Sequence, residues 1–368
     1  MTKAKLSIVL PNLCGGGAER LHVNLANDWV VQGYEVEFIL LRKEGELIPL
    51  LAPEIKVIGL NVYRFRNAIL PLAGYLRKSS PQVVLVAMWP LTSAGVLAWL
   101  LSGRKGKLFL SEHANLSMVY QVEKIPRPWY LDTFIRFTYR LSNGVIAVSR
   151  GVKDDLCIIG KLSGRFVRVI YNPAATGVKK KSESRNKKNK LWGSGFKYHI
   201  LAVGRLVLQK DHKTLIEAFS LLPKGIKAKL VILGEGPLRA ELESLVYKLE
   251  LVESVSLPGF KIDPYPWLHS SDLFVLSSRF EGFGNVIVEA FECGIPVVST
   301  NCPSGPSEIL EDGRYGKLVP IQDSSAMAIA ILESLTKTHD RDILIQRAQD
   351  FSVKNISNQY LAYFMEIG

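Results

Sequence analysis

Cysteine is scarce. The 368 residues hold four, Cys14, Cys157, Cys293 and Cys302, with no C-x-x-C pair and no histidine at zinc-binding spacing. A disulfide scaffold and a zinc module are thereby excluded, and the thiols read as structural ones of a reducing compartment. Charge is also sparse, at 22% of residues against 48% hydrophobic. So apolar a chain can bury enough surface to offset its conformational entropy, which excludes disorder for the bulk. The glycine-rich turn after the first apolar run is neither a G-x-G-x-x-G dinucleotide fingerprint nor a P-loop, since no G-K-[ST] follows. No cleavage-site pattern follows the first five residues, so the expectation is no signal peptide. One uncharged stretch, residues 83–101, is nearly long enough to cross a bilayer, but Pro90, Thr92, Ser93 and Gly95 interrupt it. It reads as a buried parallel strand followed by a buried helix.

What the chain has is alternation. Its length suits two domains of average size. Apolar runs predict strands at about 5–10, 34–41, 55–60, 83–88, 107–110, 145–148 and 167–170, with helical patterns between most of them. Strands resume near 199–203, 229–233, 255–257, 273–276, 296–299 and 317–320, separated by helices near 213–221, 237–249, 284–293, 324–336 and 341–350. The pattern predicts an α/β protein of two doubly wound, Rossmann-like domains facing a central cleft, with ligands at the carboxyl ends of strands. The expected boundaries are 1–173 and 197–352, with 174–196 as a basic linker or loop. Residues 353–368 read as a closing helix, with Tyr360, Tyr363 and Phe364 on one side, packing back towards the N-terminal domain.

Charge is unevenly spread. The net is +12, of which residues 1–178 carry +10 and residues 179–200 carry +7, while residues 201–368 carry −5. A basic front half implies an anionic partner, either nucleic acid or an anionic membrane surface.

Four motifs carry chemistry. Cys14-Gly15-Gly16-Gly17-Ala18-Glu19-Arg20 sits between a strand and a helix, where glycines let a ligand approach the backbone and the helix N-terminus favours an anion. The same residues also suit a tight turn alone. Gly204-Arg205-Leu206, with Lys210 beyond, places two cations past a strand end, where they can neutralise a diphosphate leaving group. Any surface loop can carry such a pair. Glu281-Gly282-Phe283-Gly284-Asn285-Val286-Ile287-Val288-Glu289 sets two carboxylates around a small-residue loop that opens a helix. Carboxylates there can bind sugar or ribose hydroxyls while the loop amides cradle an anion. Ser111-Glu112-His113, with Asn115 behind, ends a strand with a histidine able to bond a hydroxyl or move a proton, though such a residue is as often structural. No second histidine or cysteine stands at ligand spacing, so no protein-bound metal and no cofactor are expected.

Together these segments resemble glycosyltransferase family four. The resemblance rests on G-G-G-A-E-R, S-E-H, V-G-R-L with Lys210, L-G-E-G-P-L-R at 233–239, E-G-F-G-N-V-I-V-E at 281–289 and C-P-S-G-P-S-E-I-L at 302–310. It covers nearly the whole chain and implies a retaining, nucleotide-sugar-dependent enzyme of the GT-B fold. Residues 1–173 would then be the acceptor side and 197–352 the nucleotide-sugar domain. The resemblance implies that Arg205 and Lys210 hold the donor diphosphate, and that Gly16 and Gly17 bring backbone N–H groups against the diphosphate or sugar. It implies further that Glu289 binds the ribose and Glu281 the donor sugar. Phe283, Gly284 and Asn285 would line sugar and phosphate with their amides, His113 would contact the sugar near its reacting face, and Phe260 would pack on the base.

The implied activity moves a hexose or N-acetylhexosamine from a UDP-sugar to a glycan acceptor, lipid-linked, in bacterial surface polysaccharide or glycolipid assembly. The implied location is cytoplasmic, peripheral on the inner face of the cytoplasmic membrane. Residues 127–140 combine five aromatics with Arg127, Arg136 and Arg140, and read equally as a membrane-surface helix or a core-packed one. Two other functions compete. A GT-B nucleotide-sugar epimerase differs by needing no acceptor. A nucleic-acid-binding protein would want stacking aromatics among its cations, and the 179–190 run has none, so no nucleic-acid partner is expected.

Overall fold

The computed structural model describes residues 3–177, 191–223 and 225–366, so the lysine run at 179–190 lies outside the described residues. The chain divides into two compact units: unit 1 is Met1–Tyr120, Pro126–Thr176 and Phe351–Gly368, and unit 2 is Gln121–Ile125 and Gly177–Asp350.

The first half runs β1 (Lys5–Leu10), α1 (Gly17–Val31), β2 (Glu35–Leu40), β3 (Lys56–Gly59), α2 (Ile69–Ser79), β4 (Val83–Ala87), α3 (Leu91–Leu101) and β5 (Lys107–Glu112). It continues with α4 (Leu116–Val122), α5 (Leu131–Tyr139), β6 (Gly144–Ala147), α6 (Arg150–Ile159) and β7 (Val167–Val169). The second half runs β8 (Tyr198–Val203), α7 (His212–Ser220), β9 (Ala228–Leu233), α8 (Arg239–Lys248), β10 (Val255–Ser256), α9 (Tyr265–Ser270) and β11 (Leu273–Leu276). It closes with α10 (Asn285–Glu292), β12 (Val297–Thr300), α11 (Pro306–Ile309), β13 (Lys317–Val319), α12 (Ser324–Thr336), α13 (Arg341–Gln349) and α14 (Val353–Glu366).

Each unit holds one parallel sheet. The orders are β3-β2-β1-β4-β5-β6-β7 and β10-β9-β8-β11-β12-β13. Strands covered on both faces must be apolar throughout, and β4 (Val-Val-Leu-Val-Ala) is buried at every position. Residues 83–101 are therefore β4 and α3, whose Thr92, Ser93 and Gly95 are all buried, and among the described residues no helix is long and apolar enough to cross a membrane. Strand order reverses between β1 and β4 in unit 1, and between β8 and β11 in unit 2. Loops leaving such a reversal part from one another and open a crevice at the strand ends.

Two expectations need correction. Strand β5 runs two residues past Leu110, because Ser111 and Glu112 still pair with Ile146 and Ala147 of β6. The four cysteines are all free, but only Cys293 and Cys302 are buried, while Cys14 is exposed in the glycine loop.

Helix α14 completes unit 1. It packs on α1 and buries Ile356, Tyr360, Leu361 and Phe364. The Phe364 ring lies 5.8 Å from Trp29 and 4.7 Å from Phe109, centroid to centroid. A backbone bridge between Ala175 and Ser352 leads the chain into this helix. Truncation of Phe364 leaves a cavity among three aromatic rings. Phe364→Ala should cost about 3–5 kcal/mol of stability, measured as a lowered urea transition by circular dichroism. A loss below about 1 kcal/mol would show that α14 is not integral to the unit 1 core.

Candidate active site

In unit 2 the chemistry gathers where β8 and β11 part. The loop after β8 carries Gly204, Arg205 and Lys210, and the loop after β11 carries Ser278 and Glu281. Lys210 Nζ lies 2.6 Å from Glu281 Oε1, and Ser278 Oγ donates to the same oxygen at 2.6 Å. Both charges are largely out of water, with 15% and 7% of their side chains exposed. Ser277 Oγ donates to the Lys210 carbonyl at 2.8 Å, and the Arg279 N–H donates to Gln209 O at 2.8 Å. The two loops are thus one body, joined side chain to side chain and backbone to backbone.

A second ion pair stands beside the first. Asp211, held at φ +46°, meets Arg279 at 3.2 Å and accepts from Thr214 at 2.9 Å. His212 is buried at the start of α7. Burial first and the Lys210 charge second lower its pKa to about 4, with the backbone of Gly204 and Arg205 acting the other way, so the ring is neutral at physiological pH. Arg205 is exposed, and among the described residues no carboxylate pairs with it.

Backbone contacts fix the loops. The Leu206 N–H donates to Glu235 O at 2.9 Å, and a Cβ on Gly234 would lie 2.0 Å from the Gly204 carbonyl oxygen. Gly305, at φ +98°, backs the Glu281–Asn285 loop so closely that a Cβ would fall 1.9 Å from the Phe283 carbonyl oxygen. These clashes explain why L-G-E-G and C-P-S-G-P accompany the cation and glutamate motifs: each glycine is where one loop lies on another. Phe283 is buried, Gly284 caps α10 at φ +102°, and Glu289 is half-buried one turn into that helix. Phe260 is 56% exposed on the loop after β10, next to Gly259, whose carbonyl accepts from the Gly234 N–H at 3.1 Å. Cys302 is buried near Glu281. Burial, then the Glu281 charge, push its thiol up to about 12, so it stays protonated.

In unit 1 the candidate residues also meet at strand ends, with different chemistry. Gly16 caps α1 and Gly17 opens it, with the Arg20 N–H donating to Gly16 O at 3.0 Å. His22, one turn on, donates Nδ1–H to Ala18 O at 2.7 Å, since a carbonyl can only accept. Its ring stands edge-on to His113 at 5.1 Å, which brings α1 and the end of β5 together. His113 Nε2 shares a 2.9 Å hydrogen bond with Ser111 Oγ. His113 Nδ1 and His22 Nε2 are buried with no partner among the described residues. Burial lowers His22 to about 4, and burial with the His22 neighbour lowers His113 well below its ordinary value. Both rings are neutral near pH 7, suited to hydrogen-bonding a hydroxyl rather than to holding an anion.

Glu112 is the residue the motif reading passed over. Its Oε1 accepts from Thr92 Oγ1 at 2.8 Å and from Tyr139, while its Oε2 accepts from the Trp89 N–H at 3.2 Å. It therefore ties the end of β5 to the turn after β4 and to α5. Its place inside S-E-H was the available signal. His22, Ser278 and the Asp211–Arg279 pair had none, because only the folded chain brings them to the strand ends.

Two Rossmann-like units, each a parallel sheet with its candidate residues at the point where the strand order reverses, define a protein of the GT-B fold. Two family models match, "Glycosyltransferase Family 4" over residues 15–177 and "Glycosyl transferases group 1" over residues 183–351. The chain is a glycosyltransferase and belongs to glycosyltransferase family four. It is 28% identical over 88% of both chains to the N-acetylgalactosamine-N,N'-diacetylbacillosaminyl-diphospho-undecaprenol 4-alpha-N-acetylgalactosaminyltransferase of Campylobacter jejuni. It is 29% identical to the lipopolysaccharide core biosynthesis glycosyltransferase LpsE of Rhizobium meliloti, covering 94% of this chain and 95% of that one. Among solved structures, a glycosyltransferase from Rickettsia africae superposes with TM-score 0.82 at 20% identity, covering 100% and 99% of the chains. Anabaena HepE in complex with UDP-glucose superposes with TM-score 0.78 at 21% identity, covering 97% and 98%.

The buried Glu112 carboxyl has a consequence for stability. Burial raises its pKa to about 7 against the hydrogen bonds that lower it, so the folded chain holds this proton more tightly than the unfolded one. The stability this proton contributes is full below the unfolded pKa and is lost as pH rises through about 7. Relative to Glu112→Gln, the native chain should therefore lose on the order of 3 kcal/mol between about pH 4 and pH 8. Thermal melts of both proteins across that range test it, and a constant difference refutes the buried titration.

Proposed function

We propose that the protein is a retaining hexosyl- or N-acetylhexosaminyltransferase that takes its sugar from a UDP-sugar and passes it to a lipid-linked glycan acceptor in bacterial surface polysaccharide or glycolipid assembly. The observation that carries the reading is the Lys210–Glu281 pair at the unit 2 reversal point, with Arg205 exposed beside it. Supporting it, the Campylobacter relative's name specifies an undecaprenol diphosphate acceptor, and the HepE structures hold UDP, UDP with glucose, or UDP-glucose.

On this reading Lys210 and Arg205 take the negative charge that grows on the departing diphosphate. Glu281 holds the Lys210 ammonium in place beforehand, so the charge is preorganised, and also faces the donor sugar. Glu289 binds the ribose, the amides of Phe283, Gly284 and Asn285 line sugar and phosphate, and Phe260 packs on the base. Gly16 and Gly17 offer backbone N–H groups, and neutral His113 bonds a sugar hydroxyl. The acceptor oxygen bonds the anomeric carbon on the face from which the diphosphate leaves. The C–O bond to phosphate breaks, and the acceptor proton passes to the departing phosphate oxygen. No enzymic nucleophile is needed, because positioning and leaving-group stabilisation supply the acceleration.

The two cations supply the counter-charge that a divalent metal would otherwise give, so transfer should survive EDTA. Activity lost on chelation and restored by manganese would overturn that assignment. Arg205→Ala should lower kcat by about 100-fold or more, because the charge it meets develops only during reaction, whereas Glu289→Ala should mainly raise KM. UDP release with an added undecaprenyl-diphosphate glycan measures both. Release that ignores the acceptor while the sugar is interconverted would favour an epimerase instead.

A further inference from the structure

The loop that carries Glu281 does not shape itself. Residues 300–312 lie behind it and make its backbone contacts. Thr300 Oγ1 donates to Ser278 O at 2.6 Å, and the Glu281 N–H donates to Pro303 O at 3.1 Å. Gly305 lies against the Phe283 carbonyl, and a Cβ built on Gly284 would stand 3.7 Å from Ile309 Cδ1. The backing segment is itself strained. Ser304, Glu311 and Asp312 stand at φ +71°, +45° and +52°, and Gly305 at +98°. Three non-glycine residues in the left-handed region persist only where their surroundings over-determine them.

One side chain braces the far end of that segment. Arg347, on α13, is only 11% exposed. Its Nε donates to Ile309 O at 3.1 Å and its Nη2 to Glu308 O at 2.9 Å. These are the last carbonyls of α11, which has no further turn to bond them. Nη1 meets Glu311 at 3.0 Å and Asp350 at 2.7 Å, and the guanidinium lies over the Tyr315 ring at 5.3 Å. A planar fork holds two carbonyls and a carboxylate at once, which an ammonium cannot do in the same geometry. Helix α13 also packs along α10, so Arg347 joins the segment to the helix that bears Glu289.

We propose that Arg347 is a positioning residue for the donor sugar, acting through residues 300–312 on the Glu281–Asn285 loop. The inference rests on the transferase reading, in which Glu281 and the amides of Phe283, Gly284 and Asn285 face that sugar. Arg347 lies outside every motif that pointed to the chemistry, and it acts through backbone carbonyls instead of on the substrate. Loss of its fork leaves two carbonyls short of donors beside strained backbone, so the segment relaxes and the loop in front of it moves. On the same reading UDP is held chiefly by Arg205, Glu289 and Phe260. The sugar's share of binding, and the transfer rate, should therefore suffer before the nucleotide's.

Calorimetry of the full chain with UDP, UDP-glucose and UDP-N-acetylglucosamine tests it, beside the rate of UDP release with an undecaprenyl-diphosphate glycan. Arg347→Lys should lower kcat by about tenfold or more and weaken the UDP-sugar that the native chain prefers by a similar factor, while UDP affinity changes less than about threefold. Arg314→Gln removes a 71%-exposed arginine that also pairs Glu311 but bonds neither carbonyl, and it should change none of these values. Phe364→Ala weakens unit 1 and should leave the ratio of UDP-sugar to UDP affinity unchanged, which separates positioning from general loss of stability. Equal losses of UDP and UDP-sugar in Arg347→Lys, or no loss of either at unchanged kcat, overturn the inference and leave the transferase reading intact. A native chain that binds no UDP-sugar and transfers no sugar overturns the transferase reading, and this inference with it.

Discussion

A lysine and a glutamate 71 residues apart, 2.6 Å from one another, decide what the second unit can do. Both ends of the pair lie on loops that leave a reversing sheet in opposite directions, and the pair anchors the set of contacts that keeps those loops together. The pair is mostly desolvated, so its Coulombic gain has to be supplemented, and Ser278 and the backbone exchanges around Gln209 and Arg279 do that. Removing one partner strands the other's charge in a poorly solvated place. The arrangement therefore resists drift, and under the proposed function it holds the ammonium ready for the leaving group before any ligand arrives.

The two units solve the same topological problem with opposite chemistry. At its reversal point unit 2 presents formal charge: Arg205, Lys210 and Glu281, with Asp211–Arg279 alongside. Unit 1 presents groups that burial keeps neutral or nearly so, namely His22, His113 and a glutamate poised near 7. Under the proposed function that division is sensible. A diphosphate wants cations, whereas sugar hydroxyls want donors and acceptors whose strength does not depend on a counter-ion.

Much of the fold was legible because parallel, twice-covered strands leave continuous apolar runs such as Val83–Ala87 and Leu273–Leu276. The glycine, cation and glutamate motifs were legible too, since each is a short local pattern after a strand. What escaped reading is what the fold creates at a distance. Nothing local marks Glu112 as the acceptor of three hydrogen bonds from two other segments, or His22 as the neighbour of His113. Strand β5 looked shorter than it is because Ser111 and Glu112 are polar, and only their pairing with β6 keeps them in the ladder. For α5 the aromatics were visible but not which way they point: the core takes Leu131, Ile135 and Tyr139 and leaves Phe134 and Phe137 exposed, and periodicity alone does not say which side it takes.

Helix α14 follows unit 2 along the chain, yet it belongs to the first unit. During vectorial synthesis the strands and helices of unit 1 emerge first, yet the seat of Tyr360 and Phe364 beside Trp29 and Phe109 stays open until unit 2 has been translated. Unit 2 has no such debt, since the elements of its sheet are contiguous along the chain. The order of completion can thus invert the order of appearance: the second unit closes while the first still waits, with an aromatic groove exposed, for its final fourteen-residue helix.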